Sequence, residues 1–257
     1  MTCKSNLNRT RRSPMAGLSH AQIVVVMILI LGLASVIFSQ ESLANRAVMG
    51  EIRAVSNVKV DGQLSEWRGF SQININSAAQ CISGANRWKG SADLSGRIML
   101  AYSASHLYIA GEIRDDKLVN DQKGILMWNG DCVQVFIDTD LDGDYDTTVY
   151  NADDFSFGIS PGTDGKAPEW TIWQPAGKQI GTILGTSLGL VRTSEGYNFE
   201  LAIPLEHIGL RPTPGKSFGM GIILIDSDEP GVVKSQLANV PANAWRDPTL
   251  FAKVTFR

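Results

Sequence analysis

The sequence predicts an all-β protein: an antiparallel β-sandwich of the jelly-roll or immunoglobulin-like two-sheet kind, behind an N-terminal hydrophobic export helix. Three observations predict it. Short runs alternate apolar and polar residues with a period of two, the pattern of strands that bury one face. Glycine supplies 25 of the 257 residues and punctuates those runs. The N-terminus departs from this pattern, because a basic leader precedes a charge-free apolar stretch.

That leader contains Lys4, Arg9, Arg11 and Arg12, and the apolar stretch runs from Ala21 to Phe38. As a helix at about 1.5 Å per residue it reaches about 27 Å, against about 30 Å for a bilayer core. The length suits a cleaved signal or a short anchor, and Ser42-Leu-Ala44 fits a small-x-small cleavage site. The basic flank keeps the N-terminus cytoplasmic in either case. The expected location is therefore periplasmic or extracellular, with anchorage to the inner membrane through residues 21–38 if the segment stays uncleaved. Residues 1–50 form this leader and a linker, and residues 51–257 form one domain.

Within the domain, Ile98, Leu100 and Tyr102 face one way, with Arg97 and Ala101 opposite. Ser103-Ala-Ser105 then makes a hairpin, and Leu107, Ile109, Gly111 and Ile113 repeat the alternation with Tyr108, Glu112 and Arg114 outward. Val133, Val135 and Ile137 mark another strand. Gly185, Gly189 and Gly196 break the chain before Tyr197, Phe199, Leu201 and Ile203, whose opposite face carries Asn198, Glu200 and Ala202. Pro204 opens a helical turn, Leu205 to Ile208, that Gly209 closes. Met220 to Ile225 is apolar throughout and reads as a central strand buried on both sides. Ala252, Val254 and Phe256 make the last strand. Ten to twelve strands are expected.

Composition narrows the function. The net charge of −3 has no basic excess, which argues against nucleic acid. Cys3 precedes the apolar stretch; Cys81 and Cys132 are either a disulfide formed after export or two buried thiols. No Cys-x-x-Cys, Gly-x-Ser-x-Gly, His-Glu-x-x-His or phosphate loop occurs, and His106 and His207 stand apart from any nucleophile. The chain is read as non-enzymatic.

The stretch Trp128 to Asp146 carries the most chemistry. A strand runs into Asp138, Asp140, Asp142, Asp144 and Asp146, with Gly143 among them. Carboxylates so close repel one another unless a cation lies between them, so the loop is a candidate structural calcium site with oxygen ligands. It starts like an EF-hand loop, but its twelfth position is Val149 rather than Glu and no helices flank it. The bland alternative is a solvated turn. Asp115, Asp116, Asp153 and Asp154 are further candidates to complete the cage.

Four segments in order resemble carbohydrate-binding modules of family 9. They are Val60-Asp-Gly-Gln-Leu-Ser-Glu-Trp67, Trp128-Asn-Gly-Asp-Cys-Val-Gln-Val-Phe-Ile-Asp138, Gly196-Tyr-Asn-Phe-Glu-Leu-Ala-Ile-Pro204 and Asn243-Ala-Trp-Arg-Asp-Pro248. The resemblance implies a sandwich that binds an oligo- or polysaccharide and structural calcium, with a sugar clasped between Trp128 and Trp245. It departs at the polar rim. Gln134 stands where such modules carry a strand glutamate, their sugar-contacting arginine falls near Gly158, and Ala242 replaces a polar residue while Asn243 remains.

An indole face packs well on the apolar C–H face of a pyranose. Hiding about 60 Å² per face contributes about 1.5 kcal/mol, so two faces give about 3 kcal/mol, short of the roughly 4 kcal/mol of millimolar affinity. Gln134, Asn243 and Arg246 are the candidates to supply the remainder by hydrogen bonds. Trp67 reads as core, and Trp88, Trp170 and Trp173 as spare candidates in loops. Two other readings stay open. One is a haem-binding electron-transfer subunit using Met99, Met127 or Met220 with Lys253 or His106. The other is a ligand-free structural or interaction domain.

Overall fold

The computed structural model describes residues 27–29, 46–162, 167–174 and 185–257. The expected export segment, apart from the helical Met27–Leu29, and the Ser42-Leu-Ala44 site lie outside the described residues, as does Cys3. Among the described residues no helix is long and apolar enough to cross a membrane. All the strands belong to the second of two separate units, Leu43–Arg257.

Thirteen strands form among the described residues: β1 (Val48–Ala54), β2 (Ile73–Ile75), β3 (Cys81–Ser83), β4 (Leu94–Tyr102), β5 (His106–Asp115), β6 (Cys132–Asp138), β7 (Asp154–Ser160), β8 (Glu169–Gln174), β9 (Ser187–Thr193), β10 (Gly196–Pro204), β11 (Ser217–Asp226), β12 (Ser235–Ala238) and β13 (Ala252–Phe256). The all-β expectation holds, with more strands than the ten to twelve read from the sequence. The first sheet runs β8-β7-β6-β11, and β11 then pairs with β13 along its first half and β12 along its second. The second sheet runs β4-β5-β10-β9, with β2 beside β4.

One element departs from an antiparallel plan. β1 lies parallel to β13 through Val48–Ile52 and parallel to β4 through Arg53 and Ala54, so it joins the two sheets. It is joined to neither neighbour by a hairpin, the connection that would fix the pair antiparallel. Its start at Val48 also puts the end of the expected linker inside the sheet.

The core follows from the alternation. Ile98, Ile109, Phe199 and Leu201 of the second sheet pack in one cluster with Val135, Ile137, Phe157 and Met220 of the first. β11 is buried on both faces, as its unbroken apolar run requires. Met220, Ile222 and Leu224 enter the cluster between the sheets, while Ile223 and Ile225 join Cys132, Phe136 and Phe251 on the far side. The helix Leu205–Ile208 ends at Gly209 with φ +70°, a left-handed C-terminal cap.

Both cysteines are free. Cys81 faces Leu237 on β12, and Cys132 faces Ile225 on β11, so β12 and β11 separate their strands. Three strand spacings amount to about 14 Å, twice the roughly 7 Å that a disulfide tolerates between Cα atoms.

Two expectations about β9 and β10 are corrected. Gly189 does not break the chain but lies inside β9, because a Cβ there would stand 2.6 Å from the backbone nitrogens of Asp61 and Gly62. Glu200 does not face solvent. It is 1% exposed beneath that same segment, where it accepts from Trp67 Nε1 at 2.7 Å, Gly62 N at 2.8 Å and Asp61 N at 2.9 Å. Burial raises its pKa above the usual carboxylate range, opposed by these three hydrogen bonds. Trp67 is core, as expected, at 2% exposure.

Glu200→Ala leaves three donors without their acceptor. It is expected to destabilise the domain by about 3 kcal/mol in urea unfolding, since hydrogen bonds to a charged group each contribute roughly 1.5–3 kcal/mol. A loss below about 1 kcal/mol would show that solvent takes over those donors.

Candidate functional site

The candidate sugar-site residues lie on the outer side of the first sheet. On β6, Val133, Val135 and Ile137 point inward, so Cys132, Gln134 and Phe136 point outward. Gln134 is half-buried, with Gly158 of β7 opposite it on one side and Ile223 of β11 on the other.

The face on either side of Gln134 is covered by two short 3₁₀ segments; it is apolar on β11, through Ile223 and Ile225, and carries Ser156, Gly158 and Ser160 on β7. Gly124–Asn129 covers the β7 side. Its Met127 is fully buried above Gly158, sharing that space with Trp173 of β8. A Cβ at residue 158 would lie 2.3 Å from the Trp173 ring and 2.6 Å from Met127 Sδ. Trp173 Nε1 also donates to the Ile125 carbonyl at 3.1 Å. Ala244–Arg246 covers the β11 side, where fully buried Ala244 packs with Phe136, Ile223 and Phe251.

In each cover the next residue is a tryptophan. Successive side chains on a 3₁₀ helix point about 120° apart, so burying Met127 and Ala244 turns Trp128 and Trp245 outward. Trp128 is 44% exposed and Trp245 56%. Two strand spacings, about 10 Å, separate the strands beneath the covers. Arg246 lies beside Trp245, its guanidinium carbon 5.6 Å from the indole centroid, and its Nη2 donates to Asn243 Oδ1 at 3.5 Å. Trp128, Trp245, Gln134, Asn243 and Arg246 thus share one face.

The Trp128 segment has an anchor that the sequence reading missed. Asn120 is fully buried and donates through Nδ2 to the carbonyls of Met127 at 3.1 Å and Asp131 at 2.8 Å. Asp131 accepts from Val119 N and, at 2.6 Å, from Ser227 N. The Asn-x-x-x-x-x-x-Met spacing has no periodic signature, so only the folded chain reveals this pairing.

Trp170 and Trp173, expected in a loop, lie on β8; Trp170 packs on the core between the sheets, as does half-buried Trp88. Met99, Met127 and Met220 occupy the outer face of the second sheet, the cover over Gly158 and the core between the sheets.

At the C-terminal end of β6, carboxylate oxygens of Asp138, Asp144 and Asp153 lie within 4.8 Å of one another. Asp140, Asp142 and Asp146 are exposed outside this group, and the Asp140 carboxylate closes over Gly143 instead. Buried Asp154 adjoins the group across the β6–β7 ladder, with Asp154 Oδ1 and Asp153 Oδ2 buried and without a protein partner. Burial, with repulsion from Asp154 and Asp144, lifts the Asp138 carboxyl to about 7; burial likewise lifts Asp154 to about 6. Arg46 is the one cation found against the group among the described residues. It lies 3.8 Å from Asp138 Oδ2 and donates to the carbonyls of Tyr145 and Pro248 at 2.9 and 3.2 Å. The donor set is all oxygen, of the kind that suits calcium.

The family described as carbohydrate family 9 binding domain-like matches residues 60–257. No curated protein matches the chain. Two solved structures of a carbohydrate-binding module of family 9 from Caldicellulosiruptor kristjanssonii have a similar fold. The one in complex with cellotriose is 17% identical at a TM-score of 0.60, over 80% of this chain and 93% of that one. The one in complex with glucose is 19% identical at a TM-score of 0.61, over 80% and 95%.

Met127 and Trp173 leave no room above Gly158. Gly158→Ala is therefore expected to cost about 1–3 kcal/mol in urea unfolding and to shift the tryptophan fluorescence. Unchanged stability and spectrum would mean that both side chains move aside freely.

Proposed function

The chain belongs to the carbohydrate family 9 binding domain-like family, and on that premise we propose that it is an exported, non-catalytic domain holding an oligo- or polysaccharide between Trp128 and Trp245. The observation that carries this reading is the pair of matched covers. Each buries one small or flexible apolar residue and leaves an indole in solvent on the same outer face. An exposed tryptophan on a folded surface is a large apolar area left open to a partner. Two of them on either side of a half-buried glutamine offer apolar contact and hydrogen bonding together, the combination a pyranose presents. The similar structures were solved with cellotriose and with glucose, which makes β-glucans and their chain ends the first ligands to try.

The polar rim is sparse. Gln134 replaces a carboxylate of the family pattern, and Met127 and Trp173 fill the space over Gly158 where that pattern has an arginine. Specificity then rests on Gln134, Asn243 and Arg246. Export rests on the basic leader and the apolar segment 21–38, which place the domain in the periplasm or outside the cell, either released or tethered.

Calcium completes the reading as a structural ion. Asp138, Asp144 and Asp153 are the ligands, with Asp154 adjoining, and their convergence with unpartnered buried oxygens supports it. An ion bound only to the folded loop stabilises the domain by mass action.

Isothermal titration against cellotriose, glucose and a wider glycan panel tests the sugar site. Trp128→Ala and Trp245→Ala should each weaken binding by about tenfold, the equivalent of about 1.4 kcal/mol, while the circular dichroism spectrum stays unchanged. No heat with any glycan, or affinity that survives both substitutions, sinks the assignment. Calcium is tested separately. EDTA is expected to lower the melting temperature of wild-type protein, and added calcium to restore it, with a smaller effect in Asp138→Asn.

A further inference from the structure

The cover that carries Trp128 exposes more than its indole. Ile125 is 52% exposed and Leu126 49%, so three of the four residues 125–128 present a large apolar side chain to solvent. Of the seven such side chains among the described residues of this unit, four belong to the two covers.

Local geometry puts Ile125 and Trp128 in line. Residues i and i+3 of a 3₁₀ helix eclipse one another, at about 2.0 Å of rise per residue. Ile125 therefore stands about 6 Å along the segment from Trp128, on the same side, while Met127 goes down into the sheet. Leu126 flanks that line. Together the three exposed side chains form an apolar ledge that continues the indole surface.

The ledge has little to offer a sugar hydroxyl, because its backbone is already paired. The Ile125 carbonyl accepts from Trp173 Nε1 at 3.1 Å. Gly124 N donates to Glu169 Oε1 at 3.0 Å, and Leu126 N to the Lys123 carbonyl at 3.1 Å. The Met127 carbonyl accepts from Asn120 Nδ2 at 3.1 Å and Gly130 N at 3.2 Å. Hydroxyls laid here would lose water without gaining equal partners, which costs free energy. An apolar group in the same place gains from the contact.

Size and the neighbouring polar groups narrow the occupant further. Ile125, Leu126 and Trp128 offer on the order of 300 Å², well below the roughly 800 Å² per partner of a standard protein interface, so a small group fits where a second copy would not. Gln134, Asn243 and Arg246 bring no carboxylate, and a guanidinium only donates. A free sugar hydroxyl both donates and accepts. Its ester only accepts, and carries an apolar tail beside the acceptor.

Building on the sugar site above, we propose that the glycan held there is O-acylated, with a short acyl group seated on Ile125 and Leu126 beside Trp128. Trp128 and Trp245 then grip the ring, and the ledge selects its acylated form.

The test offers the immobilised full chain a mixture of cellotriose and cellotriose esterified at random with acetyl or butanoyl groups. Retained molecules are separated by chromatography and identified by mass spectrometry. At least one monoester isomer is expected to be held about tenfold more tightly than cellotriose, the equivalent of about 1.4 kcal/mol. Isomers whose acyl group points away from the ledge are the internal control. Ile125→Ser and Leu126→Ser, both at exposed positions, should abolish the preference and leave retention of cellotriose and the circular dichroism spectrum unchanged. Wild-type protein that holds cellotriose but prefers no ester overturns the proposal and leaves the sugar reading standing. A preference that survives both substitutions overturns it too, as does a loss of cellotriose itself in the folded variants, the sign that the ledge holds the ring. Retention of neither cellotriose nor any ester overturns both readings.

Discussion

The central strand of the first sheet is apolar on both faces, and much of the molecule is arranged around that fact. β11 runs through its centre with Met220, Ile222 and Leu224 on one side and Ile223 and Ile225 on the other. One side meets the second sheet; the other must be shielded from water by something else. At about 25 cal/mol per Å², exposing such a strand face would cost several kcal/mol. The shields are short 3₁₀ segments rather than a third sheet. A segment that buries one residue necessarily turns the next outward, so covering the sheet and displaying two tryptophans are a single structural event.

The second sheet solves the same problem with one longer cover. Residues 55–70 lie across its outer face, with Val58 and Trp67 packed on Met99, Ala101, Tyr108 and Ala202. Glu200 pins that cover by accepting from two backbone amides and one indole. The segments Val60–Trp67 and Gly196–Pro204 are far apart in sequence yet meet at this carboxylate. Their shared residues serve the fold, whereas Trp128 and Trp245 project from it. Close approach is part of the arrangement: Gly62 and Gly189 face each other with no space for a side chain.

Charge is concentrated where strands end. β6 carries Asp138 at one tip and has Asp131 just before the other, and each belongs to a carboxylate group. Strand ends expose backbone amides, and Asp131 uses both oxygens to satisfy two of them. Such capping explains single aspartates but not three converging ones with oxygens to spare. Arg46 partly offsets the first group and Lys234 the second.

The sequence by itself determined the all-β class, the doubly buried β11 and the hairpin at Ser103–Ser105, because period-two burial is written in consecutive residues. It also singled out Trp128, Trp245 and Gln134, which the fold leaves on the outer side of the first sheet. It misjudged Glu200 and Gly189, which look like an outward charge and a strand breaker until the 55–70 cover lies over them. It spread the candidate cation ligands over Asp138, Asp140, Asp142, Asp144 and Asp146, whereas the fold gathers carboxylate oxygens of Asp138, Asp144 and the more distant Asp153. Alternation shows which face of a strand is apolar, but not what will cover that face. Only the tertiary structure decided that Met127 and Ala244 go in while their neighbouring tryptophans stay out, since that depends on contacts with other segments, such as Gly158, Trp173 and Phe136, in a chain whose local pattern carries no long-range register.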